Sequence, residues 1–456
     1  MLSKFADKFN NIVRRGFSGT ERSRAVKKNI ISSILLRGIS IMISFMLVPL
    51  TIGYVSAELY GVWLTLSSIM TWLGFLDIGF TQGLKNKLTE AIAYQNWNKG
   101  KALVSTTYIM MLIIFVPICI LLECIIPFIN WSELLNVDII YNIEIQRVMY
   151  VMIAFFCLQM VVNVIVSVIA AFQKVALSSS FTVIGQFLSL IIIFILTKTV
   201  PASLLSLAFS ISAMPILVTI IASYVLFNGK YKNLAPSIKY FDKRLVGDLF
   251  NLGYKFFIIN IQVVVLYQST NILISNLSSP LDVTTYNIAY KYMNISMMLY
   301  TIITAPLWPA YTDAYVKQDF NWMKNVRRKM TKIFLLSAVC NVIMVLFSQT
   351  VYSIWIGDEV YIPLQMTIMV ALYVIVYCWM NLNGTLIVGM GTIKLQTIID
   401  VIGMCVHIPL SLLLGKHFGA YGVLVSMIFI NLTYAIIFNI QVNKILNQSA
   451  KGFWIK

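Results

Sequence analysis

Charge is what this sequence has least of. Only 11% of its 456 residues are Asp, Glu, Lys or Arg, where soluble domains carry about 25%. A water-soluble fold of this length would lack the polar surface to cover itself. Histidine occurs only twice. The six cysteines (Cys119, Cys124, Cys157, Cys340, Cys378, Cys405) all fall within apolar stretches without metal-ligand spacing. That excludes a zinc cluster and leaves small packing residues as the expectation. A nucleophile triad and a phosphate loop are also missing. Gly389 and Gly391 in "GMGT" lack the rest of a nucleotide fingerprint and read as a turn. No cofactor or metal is expected.

What the chain does have is apolar length. Its mean hydropathy is +0.84, and stretches of roughly 20 apolar residues, enough to cross a hydrocarbon core of about 30 Å, recur from end to end. Twelve such spans are expected, near 30–54, 60–83, 103–127, 148–170, 175–197, 203–227, 249–275, 283–310, 330–352, 362–388, 393–414 and 420–443. The expected fold is all-α and polytopic. The first 29 residues are polar and basic, so the helix beginning near Ile30 is expected to serve as its own insertion signal.

The few charges are distributed unevenly. Of the 34 Lys and Arg residues, 28 lie in the N-terminal segment, on or beside the connections after even-numbered spans, and in the tail. The opposite connections hold only Arg147, Lys198 and Lys416. This asymmetry follows the positive-inside rule and places both termini in the cytoplasm. The net charge of +17 is then a topology signal, and no nucleic-acid partner is required.

A short repeat suggests duplication. Residues 89–98 read "TEAIAYQNWN" and residues 312–321 read "TDAYVKQDFN", an offset of 223. That offset maps spans one to six onto seven to twelve in the same orientation, a parallel repeat about the membrane normal. The expected organisation is a cytoplasmic amphipathic segment (1–29), an N-lobe (30–227), a cytoplasmic linker (228–248), a C-lobe (249–443) and a cytoplasmic tail (444–456).

A charge held in hydrocarbon costs roughly 2.5–3.5 kcal/mol on insertion scales, so those that persist usually face a cavity or a partner. Helical spacing groups them into polar stripes. Span one carries Asn29, Ser33, Arg37, Ser40 and Ser44; span two carries Ser67, Gly74, Asp77 and Thr81. Span seven aligns Asn251, Lys255, Gln262 and Ser269, and span eight aligns Asn287, Lys291, Asn294 and Thr301. Span eleven places Asp400, His407 and Ser411 together. Four of these five stripes fall on helices made equivalent by the duplication. Arg37, Lys255, Lys291, Asn287, Asn294 and Gln262 are thus the candidate cavity residues, with Asp77, Asp400 and His407 as candidates for gating or coupling. Packing roles compete with these readings: Arg37 and Asp77, both roughly 10 Å deep at 1.5 Å per residue, suit an ion pair, and a histidine on an apolar helix suits a hydrogen-bonded core. Glu123 suits a snorkelling end residue.

Two segments read as interfacial. In "MLSKFADKFNNIVRRGF", apolar residues recur at helical spacing among basic ones, and "DFNWMKNVRRKMTK" combines Trp322 with a run of cations. Both suit contact with anionic lipid, and the first equally suits a solvated tail.

The stretches "RGISIMISFMLVPLTIGYVSAELYGVWLTLSSIMTWLGFLDIGFTQGLKNKLTEA" and "APLWPAYTDAYVKQDFNW" resemble the polysaccharide-biosynthesis flippases, relatives of the multidrug and toxin extrusion transporters. Tyr60, Gly61 and Trp63, with Leu76, Asp77, Gly79, Gly83 and Asn86, carry the likeness to the oligosaccharide branch. The resemblance implies two six-helix lobes, a central cavity lined by spans one, two, seven and eight, and alternating access in the bacterial inner membrane. It implies a polyprenyl-diphosphate-linked O-antigen or capsule repeat unit as substrate. Membrane lipids, a polysaccharide polymerase and chain-length machinery would be its partners. The alternative is a cation-coupled drug exporter of the same fold, which aromatic cavity walls would favour. A glycosyltransferase or polymerase fits poorly, because the longest outer connection, 128–147, has no DxD motif.

Overall fold

The computed structural model describes residues 21–77, 80–172, 174–249, 268–304 and 307–455, and all regular structure among them is helical. The helices are α1 (Glu21–Val55), α2 (Ala57–Leu73), α3 (Phe80–Ala93), α4 (Trp97–Ile125), α5 (Trp131–Leu135), α6 (Asn142–Val162), α7 (Val164–Ala171) and α8 (Val175–Thr199). They continue with α9 (Leu204–Asn228), α10 (Ser269–Leu277), α11 (Pro280–Thr304), α12 (Leu307–Val316), α13 (Phe320–Trp355), α14 (Leu364–Met390), α15 (Lys394–Phe418) and α16 (Ala420–Leu446). In hydrocarbon every backbone N–H and C=O must be satisfied within the segment, and a helix does so alone.

Nine helical stretches among the described residues are long and apolar enough to cross a membrane. They coincide with nine of the twelve expected spans. The other three are spans two, seven and eight. Span two is broken, because α2 stops at Leu73 and α3 restarts at Phe80, with a short 3-10 turn over Gly74–Asp77. Most of span seven lies outside the described residues. Span eight is the single 25-residue helix α11, long enough to span, but its polar residues lower its hydropathy. The spans that fall short of simple apolar helices are among those that carry the polar stripes.

Contacts gather the described residues into two compact units that interleave along the chain. One draws on Met1–Tyr54, Leu73–Ile129 and Ile143–Ile259, the other on Val55–Trp72, Asn130–Asn142 and Asn260–Lys456. Within the second unit α2 lies against α11 closely enough that only glycine fits at position 61. A Cβ there would stand 1.8 Å from the Pro280 carbonyl oxygen. The Thr284 hydroxyl donates to the Ala57 carbonyl at 2.6 Å across the same contact. The same unit's core, where α12 to α16 meet, includes Tyr311, Met323, Leu386, Tyr434 and Phe438.

The two copies of the repeat fold alike, bond for bond. Gln95 and Gln318 both take left-handed φ, 54° and 56°. The next residue's N–H returns to an alanine carbonyl at 2.9 Å in each, Asn96 to Ala91 and Asp319 to Ala314. Asn96 then caps α4 by accepting from the Lys99 N–H at 3.0 Å, and Asp319 caps α13 by accepting from the Trp322 N–H at 2.9 Å. A short polar side chain at this position satisfies a first-turn N–H in both.

Candidate functional site

The polar residues of α2, α10 and α11 meet inside the second unit. Asn287 on α11 donates to the side-chain carbonyl of Asn271 on α10 at 2.8 Å. Asn271 donates in turn to the Ser68 hydroxyl on α2 at 2.9 Å, and Ser68 to the Leu64 carbonyl at 3.0 Å. This chain of donors runs one way across three helices and fixes their register. One turn along α11, the Lys291 ammonium donates to the Tyr60 hydroxyl at 3.4 Å. The three ion pairs found among the described residues are Lys87–Glu90, Arg244–Asp242 and Lys317–Asp313, so Lys291 is held there without a carboxylate. An amine placed against a neutral hydroxyl has no opposite charge beside it, so burying it is costly until an anion arrives.

Beside this chain is a cavity of about 140 Å³, lined by Gln268, Asn271, Tyr286, Asn287, Tyr290, Tyr373 and Met427. Its wall is amide and phenol, with hydrogen-bonding edges on aromatic faces. Tyr286 stacks on Tyr290 with ring centroids 5.9 Å apart, and Tyr290 approaches Tyr373 at 6.3 Å. A second turn along α11, the Asn294 side-chain carbonyl is buried with no hydrogen-bond partner among the described residues, and so is the Ser67 hydroxyl on α2. Native folds rarely leave such groups unpaired.

Of the expected cavity residues, Asn287 lines this cavity; Lys291, one turn on, faces Tyr60 and is not part of its wall, and Asn294 lies on the same helix. Lys255 and Gln262 lie outside the described residues. Arg37 stands on an exposed face of α1 and forms none of those ion pairs. The anticipated Arg37–Asp77 ion pair is therefore corrected. Asp77 turns to α3, where its carboxylate accepts from the Thr81 N–H at 3.3 Å and from the Thr81 hydroxyl. The physical reason is the break in span two. Restarting a helix at Phe80 exposes first-turn N–H groups, and a carboxylate there both accepts their hydrogen bonds and favours the positive end of the helix dipole.

Asp400 and His407 are buried on α15 where it packs against α16. His407 Nδ1 lies 3.1 Å from the Ser426 hydroxyl, and the Ser411 hydroxyl lies 3.3 Å from the same nitrogen. The backbone carbonyl of Asp400 accepts from the Tyr434 hydroxyl at 3.3 Å. Neither residue lines the cavity beside Asn287. Sequence reasoning missed Tyr60, Gln268, Asn271 and the tyrosines as site residues. Gln268 and Asn271, three apart in an apolar run, were a visible signal. The tyrosines were not, since apolar helices carry many.

Comparison with known proteins agrees with this architecture. The profile of the family described as polysaccharide biosynthesis protein matches residues 26–314. A Yersinia pseudotuberculosis protein named for O-antigen export is 21% identical over 363 residues, 78% of this chain and 82% of its own length. A Salmonella typhimurium LT2 protein named for O-antigen transport is 23% identical over 185 residues, 38% of this chain and 41% of its own. Among solved structures, a multidrug-resistance MATE-family transporter superposes with a TM-score of 0.75 at 12% identity, covering 92% of this chain and all of its own. A transporter of the same superfamily from Pyrococcus furiosus, described for the reverse polarity of its binding pocket, superposes with a TM-score of 0.56 and 14% identity over 94% of this chain and 97% of its own. The shared fold is that of the MATE transporters, and the match over more than half of the sequence settles the lineage: this chain is a membrane-spanning member of the polysaccharide biosynthesis protein family.

Proposed function

We propose that the protein is a flippase that moves polyprenyl-diphosphate-linked oligosaccharide repeat units, of O-antigen or capsule type, across the bacterial inner membrane by alternating access. The observation that carries this reading is Lys291, a cation in a membrane-spanning helix whose one hydrogen-bond partner among the described residues is the neutral Tyr60. The diphosphate is the part of such a substrate that is costly to move through hydrocarbon, and an unneutralised ammonium lowers that cost. The amides of Gln268, Asn271 and Asn287 suit sugar hydroxyls, while the prenyl tail stays in lipid. The family and the export names of its relatives support the substrate class. Two six-helix lobes with both termini cytoplasmic complete the reading, and the twin turns at 89–98 and 312–321 support the duplication behind it.

One observation favours a second reading. Three tyrosines line the cavity, and aromatic walls suit the drug exporters of the same fold. Lys291 opposes it, because an ammonium beside the site repels a cationic drug. The test is Lys291→Ala, Lys291→Gln and Lys291→Arg in the native host. Surface polysaccharide should fall for Ala and Gln at unchanged membrane abundance, with Arg closest to wild type. Equal export by all four proteins, or dye extrusion that Lys291→Ala improves, would replace the flippase reading with the exporter.

A further inference from the structure

At the start of α13 the second unit holds a cleft unrelated to the tyrosine cavity. It has a volume of about 290 Å³, and its polar lining is Lys324, Arg327, Arg328 and Thr331 from α13 with Asn443 and Asn447 from α16. The spacing places the four α13 residues on one face. None of the lining residues is acidic.

The centre of the cleft is built. Arg327 donates to Asn443 Oδ1 at 2.6 Å through Nη1, and to Asn439 Oδ1 at 2.6 Å and Asn383 Oδ1 at 3.1 Å through Nη2. Three amide carbonyls on two helices therefore hold a guanidinium that has five donors. They orient the group and leave its charge in place, where a carboxylate would cancel it. A planar, fixed guanidinium with donors to spare, flanked by two more cations, is the arrangement that recognises phosphate; the Thr331 hydroxyl beside it donates to the Arg327 backbone carbonyl at 3.0 Å.

Its level on the helix identifies the source of the phosphate. Large apolar residues are exposed on α13 from Leu335 onward, through Leu336, Val339 and Val342. Thr331 precedes Leu335 by four residues, about 6 Å at 1.5 Å per residue. On α16, Ile440 and Ile436 are exposed just below Asn443. Trp322, partly exposed five residues before Arg327, is an interfacial anchor. The cleft thus opens at headgroup height beside a lipid-facing band. We propose that it binds the phosphate of an anionic membrane lipid and joins α13 to α16 through it.

The test uses the full chain purified in detergent. Phosphatidylglycerol is titrated against it, with phosphatidylcholine and inorganic phosphate as parallel probes, and bound lipid is counted by native mass spectrometry alongside the thermal midpoint. Arg327 also ties three helices together, so the rim carries the test. Lys324→Ala combined with Arg328→Ala should weaken phosphatidylglycerol binding about 25-fold, roughly fivefold for each cation removed, at unchanged helical content. Phosphatidylcholine should neither be retained nor raise the midpoint. Undiminished phosphatidylglycerol binding by the double variant would overturn the assignment. So would retention of phosphatidylcholine to the same extent, while competition by inorganic phosphate at lipid-like concentrations would identify a site for free anions instead.

Discussion

Gly61→Ala tests whether the approach of α2 to α11 builds the candidate site. The added Cβ would lie 1.8 Å from the Pro280 carbonyl oxygen, against 3.4 Å for ordinary contact. One helix must therefore retreat by about 1.6 Å, the difference of those distances. Retreat of that size carries the Tyr60 hydroxyl from 3.4 Å to roughly 5 Å from Lys291 and breaks the 2.6 Å bond from Thr284 to Ala57. Overpacking costs about 1–3 kcal/mol, and each lost hydrogen bond about 0.5–1.5 kcal/mol. The sum is about 2–6 kcal/mol, a large part of the roughly 5–15 kcal/mol of net stability typical of a domain. Gly38→Ala is the control, since nothing lies within 4 Å of its added Cβ and alanine is the better helix former. The assay pairs the thermal midpoint of purified protein with surface polysaccharide in the native host. Gly61→Ala should lower both and Gly38→Ala neither. If the two variants behave alike, the close approach is not what positions Tyr60, and the account of the site fails.

Further expectations follow from the corrected role of Asp77 and from the charges outside the spans. Asp77→Ala should cost about 0.5–2 kcal/mol as a lost cap, with Asp77→Asn much milder. Arg37→Gln should add to either within about 0.5 kcal/mol, and strong coupling in the double-mutant cycle would restore the ion pair. Reporter fusions after Asn136, Ser279 and Asp358 should report an external position, and fusions after Asn96, Lys232 and Gln318 a cytoplasmic one. A reversed pair would break the duplication. The Lys174 amine is held below the usual lysine range, first by its side-chain contact with the Lys230 amine, then by burial and by that neighbour's charge. A lysine with a lowered folded pKa binds fewer protons folded than unfolded, so stability should rise as pH climbs from that lowered value toward the ordinary 10.5. Lys174→Gln should raise the thermal midpoint at pH 7 in low salt and lose the gain in high salt; a variant no more stable than wild type at low salt would remove the repulsion.

The order of the helices and the class of the fold were legible because apolar length is a one-dimensional property. A run either exceeds the bilayer thickness or does not, whatever it packs against. The repeat was legible for a related reason: its turn is local, and a left-handed Gln followed by a capping Asn or Asp folds from its own ten residues. The stripe on α11 was likewise periodic, and the structure sets two of its residues, Asn287 and Lys291, against α10 and α2. Asp77 shows where that reasoning stopped. Its alignment with Arg37 assumed an unbroken span two, and equal depth on adjacent helices says nothing of how far apart two side chains stand. Once the helix breaks at Gly74, the nearest unsatisfied donors are those of α3, and the carboxylate turns to them.

By itself, then, the sequence determined the helical, membrane-spanning architecture, the charge asymmetry and the location of costly polar groups, all of which depend on neighbours along the chain. Only the tertiary structure decided their partners. It set Tyr60 against Lys291, joined Ser68 to Asn271 across 203 positions, and surrounded Arg327 with Asn383, Asn439 and Asn443. Those contacts join residues far apart in the chain, and they form only where close helix packing brings polar atoms within about 3 Å.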